Sequence, residues 1–377
     1  MQPSGRSALL CSRLLIHHTQ NQAGRDLSKT LVASHLSFAY MTSEDRSILN
    51  SGYPPEPFVS AAAVRKMPVD YNTWVSWLKD MVISDYISRG DRGELISRVL
   101  LTIARDLAWR DDEMKRIQDK KHRSARKLTL DSVLPGHEPV SVCDFLKYFV
   151  GEIAWENVAK AKPINIASDE SQTLKDFLGE RAVVDFTCFG IAMDDSPFKY
   201  EGMVKALCQG AAVVCKPNQR SYDSVIIFVR DRTKGFTEDN LGLILVQDKN
   251  TVTRRNPVLD PTKLPCSDKF PIISILHQPS QPRRVTTGTA PERRSSSLPV
   301  QPIYEIQMDG TELLKDPHLH ELLMADDPLE RHREGSCLAN DSRAIIQHNR
   351  YYTVSDNSPH NAFDTNIRYP LKPIGKK

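Results

Sequence analysis

LGLILVQDKN, residues 241–250, is the stretch that decides the fold. Leu241 to Val246 reads as a buried strand, apolar on both faces. A strand of that kind sits inside a sheet and is covered on both sides. Gln247, Asp248 and Lys249 then follow as a polar trio. Alternate residues of a strand point to the same side, so Gln247 and Lys249 share a face and Asp248 points away from them.

Other strands are predicted on either side of it. SYDSVIIFVRD (221–231) carries one acid, Asp223, just before its apolar run. GAAVVC (210–215), FPIISILHQ (270–278) and PIYEIQMDG (302–310) read as further strands. Helical spacing marks YNTWVSWLKDMVIS (71–84), with Trp74, Trp77, Leu78 and Met81 on one face. The longest helical pattern is 90–127, where Leu95, Ile96, Val99, Leu100, Ile103 and Leu107 recur and Asp91 caps the start. SVCDFLKYFVGEIAWENVAK (141–160) reads as a single amphipathic helix and YEGMVKALCQ (200–209) as another. SQTLKDFLGERAVVDFTCFGIA (171–192) passes from helix into strand.

This order predicts an α/β fold, a central mixed sheet flanked by helices. The expected organisation is a polar tail over 1–43, a helical lead-in over 44–86 and an α/β core over 87–277. A flexible Pro/Ser/Arg-rich loop or linker covers 278–302, and 303–377 adds one strand and a poorly ordered, loop-rich tail.

Composition narrows the class. Of 377 residues 40% are hydrophobic, enough for a real core, and the net charge of +3 does not announce nucleic acid, so any basic surface must be local. The seven cysteines are scattered, odd in number and form no CxxC pair, which fits a reduced protein of the nucleus or cytoplasm and argues against a cysteine zinc site. There is no apolar run long enough for a membrane span. SALLCSRLLIHH near the N-terminus is interrupted by Ser12 and Arg13 and makes a poor signal peptide.

If the strands at 221–231 and 241–248 are neighbours, Asp223, Gln247 and Lys249 converge at one end of the sheet. An acid, an amide oxygen and an ammonium together make a hydrolytic site. Asp223 supplies a hard anionic oxygen for Mg²⁺ and Gln247 a neutral carbonyl oxygen. Lys249 can orient an attacking water and neutralise developing charge.

Asp223 on one strand and Gln247-x-Lys249 on the next resemble the PD-(D/E)xK, or restriction endonuclease-like, superfamily in its QxK variant. The resemblance implies a helical acid ahead of the strand pair, and Glu94 in RGELISRVLL stands in that position. The wider layout is similar to basidiomycete fungal Crinkler-like, mobile-element-associated proteins. The segments that carry this are SILNSGYPPEPFVSAAA, GDRGELISRVLLTIARD, FTCFG, QGAAVVCKPNQRSYDSVIIFV and LILVQDKN, together spanning about 47–275. It implies an Mg²⁺- or Mn²⁺-dependent nuclease acting on DNA, with Asp223, Glu94 and Gln247 at the metal and a P-loop ATPase as partner chain. The sequence departs from the pattern in four ways. Gln247 stands where an acid is usual, and Asp248 where an aliphatic residue is usual. Asp223 lacks the adjacent proline, and the chain has no GxxxxGK[ST]. A catalytically inactive fold serving as a nucleic-acid- or protein-binding module is the alternative.

Lys216, Gln219 and Arg220, just before Asp223, are the candidates for phosphate contact. KRIQDKKHRSARK (115–127) reads as a solvated helix end. Asp185, a lone acid in VVDFTCF, belongs either near the site or to a hydrogen-bonded structural role, since a buried acid needs partners either way. His318 and His320 lack a third ligand at zinc spacing. Asp144, Glu152 and Glu156 read as a solvated helix face.

Overall fold

A computed structural model describes residues 2–16, 18–42, 49–67, 71–87, 92–121, 138–167, 171–192, 195–215, 222–248, 266, 268–278, 284–289 and 301–309. The fold is mixed α/β, a central mixed sheet with helices on both faces, as the apolar run at 241–246 predicts.

The sheet is built around β7 (Ser224–Val229) and β8 (Leu241–Asp248), an antiparallel pair in which Ser224 faces Val246 and Val229 faces Leu241. β9 (Ile272–Gln278) runs parallel to β8, and β11 (Ile303–Asp309) parallel to β9. β10 (Arg284–Thr287) closes that side antiparallel to β11. On its other edge β7 is shared. Its first residues pair with β6 (Ala211–Val214), which is joined in parallel to β5 (Cys188–Ile191). Its last residues pair with β4 (Val183–Val184), which in turn meets β3 (Val140–Ser141).

Alternation along the strands separates two cores. Ile226, Phe228, Ile244, Val246, Ile273 and Ile275 face the helical layer formed by α1 (Pro3–Leu14), α4 (Tyr71–Ile83), α5 (Arg92–Lys121) and α6 (Val142–Val150). Val225, Ile227, Leu243, Leu245 and Ile272 face α9 (Tyr200–Cys208). Gly242 lies opposite Phe228, and a Cβ built on it would come 2.2 Å from the Phe228 ring, so the aromatic side chain occupies the space above this glycine.

Three expectations are corrected. Residues 1–43 do not form a tail: α1, α2 (Gln22–Ser34) and β1 (Phe38–Thr42) lie there, and Leu10, Leu14 and Leu31 are fully buried. Within α1, Arg13, which interrupts the apolar segment, is itself buried. It donates to both oxygens of Asp106 at 2.8 and 2.9 Å and to the Thr187 carbonyl at 3.0 Å. The single helix expected at 141–160 is two, α6 and α7 (Glu152–Val158), because Gly151 between them takes φ +90°. The linker at 278–302 contains β10, so the sheet continues beyond residue 277. Asp91, residues 122–127 and residues 310–377, with His318 and His320, lie outside the described residues.

Candidate functional site

The open end of the β7–β8 pair brings two of the four expected site residues together. Ser224, the first residue of β7, ends the register opposite Val246, so Asp223 just before β7 and Gln247 on β8 are the next pair outward. The pairing continues in the backbone: Asp223 N–H donates to the Val246 carbonyl at 2.8 Å, and Cys215 N–H donates to the Asp223 carbonyl at 2.8 Å. The Asp223 carboxylate is held as well, its Oδ2 accepting Asp248 N–H at 2.6 Å. Asp223 and Gln247 are both half-buried.

Asp248 is the residue whose role the sequence left open. Its side chain turns into the sheet and meets His277 Nδ1 at 3.0 Å, with both side chains buried at 5% and 0% exposure. His277 is the register partner of Asp248 on β9 and packs its ring 5.8 Å from Phe149 of α6. The pair therefore ties the end of β8 to β9, and the same residue's N–H fixes Asp223. The signal was visible as two polar residues, Asp248 and His277, each closing an apolar strand.

Gln278 and Asp309 extend the polar rim at the carboxyl ends of the parallel strands. Gln278 donates to Asp309 at 3.1 Å, both buried. In open α/β sheets this end is where ligands bind.

Glu94 stands exposed in the first turn of α5, whose buried stripe packs into the helical face of the core. Among the described residues, no group of three or more His, Cys, Asp or Glu is placed to hold a metal ion. Lys249, Lys216, Gln219 and Arg220 lie outside the described residues.

Asp185 joins neither of the roles expected for it. β4 runs antiparallel to β7 with Val184 opposite Phe228, so Asp185 continues toward Ile227, four residues from Asp223 and ~13 Å along the strand. Its Oδ1 is buried without a hydrogen-bond partner. Burial pushes its carboxyl up to about 6, partly opposed by the buried Arg105 guanidinium.

Residues 8–153 match the family model of a domain of unknown function (DUF8736). The match includes Glu94 and the helical layer, and stops before β4 to β11 and the Asp223–Gln247 end. No curated protein and no solved structure matches the chain. Among the described residues, no helix is long and apolar enough to cross a membrane.

Proposed function

We propose that this chain is a nuclease-like domain that engages DNA phosphodiesters at the open end of β7 and β8 and hydrolyses them with Mg²⁺ or Mn²⁺. The observation that carries the reading is the antiparallel placement of Asp223 beside Gln247, with the Asp223 carboxylate fixed by Asp248 N–H. This is the arrangement required for the resemblance to the PD-(D/E)xK superfamily in its QxK form. Asp223 and Gln247 would hold the ion, two oxygen donors of the kind Mg²⁺ accepts when waters and a substrate phosphate complete its shell. Glu94 sits on α5 in the helical layer against the opposite face of the sheet and is not placed with them. The ion would supply positive charge against that gathering on the scissile phosphate.

The chain's own residues have distinct parts in this reading. The Asp248 N–H orients Asp223. The Asp248–His277 pair keeps the end of β8 at a set height beside β9. Lys249 is assigned, on strand alternation, to orient the attacking water. Lys216, Gln219 and Arg220 are assigned to the phosphates. A P-loop ATPase chain as partner and a nuclear or cytoplasmic setting belong to the same proposal.

Supercoiled plasmid incubated with Mn²⁺ or Mg²⁺ and the parent protein should relax or linearise, and Asp223→Asn should abolish this while leaving the thermal transition in place. Cleavage that survives both Asp223→Asn and Lys249→Ala would remove the assignment. The second reading, a binding module without catalysis, is favoured by Gln247 standing where an acid is usual. Its signature is DNA retardation without cleavage by the parent, with metal-dependent activity gained in Gln247→Glu.

A further inference from the structure

We draw no further inference here: the strongest candidate, the buried Asp248–His277 pair where β8 and β9 end, with the His277 Nε2 left without a hydrogen-bond partner among the described residues, belongs to the site already described, and that nitrogen has no accessible surface at which a ligand could meet it.

Discussion

Arg13 and Asp106 lie 93 residues apart in the chain and meet through two hydrogen bonds of 2.8 and 2.9 Å, with both side chains buried. The pair joins α1 to α5, and the Arg13 guanidinium also stands 5.2 Å over the Trp74 ring of α4. Removing one partner strands the other in the core. Asp106→Ala should cost about 3–5 kcal/mol, read as a lower midpoint in urea denaturation. The buried Arg105 also donates to Asp106, so replacing Arg13 and Asp106 together with apolar side chains should recover only part of that loss, the Arg105 guanidinium being left without its carboxylate.

His277 and Asp248 form the second buried link. His277→Leu keeps the bulk and leaves the Asp248 carboxylate without its hydrogen bond, for an expected loss of about 1–3 kcal/mol. Because the Asp248 N–H holds Asp223, the proposed nuclease function implies that this variant also lowers cleavage of plasmid DNA beyond what its stability explains. Single-turnover rates measured well below its thermal transition would separate the two effects.

Gly242 makes room for Phe228 on the neighbouring strand. A Cβ there meets the ring at 2.2 Å, and the ring is fully buried with no direction in which to retreat cheaply. Gly242→Ala should therefore destabilise by about 1–3 kcal/mol through overpacking, against the usual gain of replacing a strand glycine. Phe228→Leu in the Gly242→Ala background should restore part of the loss, a coupling that a double-mutant cycle measures.

Asp185 gives the fold a pH dependence of defined sign. Its carboxyl is raised from 3.8 to about 6, chiefly by burial. The native state therefore holds a proton that the unfolded chain has released between those values. The stability this contributes is complete below 3.8 and is lost as pH rises through about 6, a difference of up to about 3 kcal/mol. Asp185→Asn should melt higher than the parent at pH 7.5, and the gap should close near pH 4.

The apolar run from Leu241 to Val246 was enough to place a central strand, because a strand covered on both faces has no polar side to hide. The antiparallel neighbour carrying Asp223 was legible for the same reason. α1 was not, since Arg13 reads as a break until Asp106 and Thr187 are brought to it from 93 and 174 residues away. The division of α6 from α7 depends on one backbone angle at Gly151, to which helical periodicity is blind. β10 was hidden because RVTT is a short edge strand in a Pro/Arg-rich context, with Arg284 exposed. Asp185 was visible as an anomaly, but that its buried Oδ1 has no hydrogen-bond partner among the described residues is a property of the packed structure and not of the local sequence.

The Arg13 side chain also bears on where this protein can be divided. The segment with a family match, 8–153, contains Arg13 and Asp106 but ends before the Thr187 carbonyl to which Arg13 also donates. It also ends before every strand that covers the buried faces of α1, α5 and α6, apart from the two residues of β3. Cut at 153, the helical layer would present its core to water. The stretch of sequence likeness is thus shorter than the smallest piece able to close its own interior, and an expression boundary chosen from that likeness alone would yield an insoluble fragment, whereas one placed after β11 would keep both faces of the sheet covered.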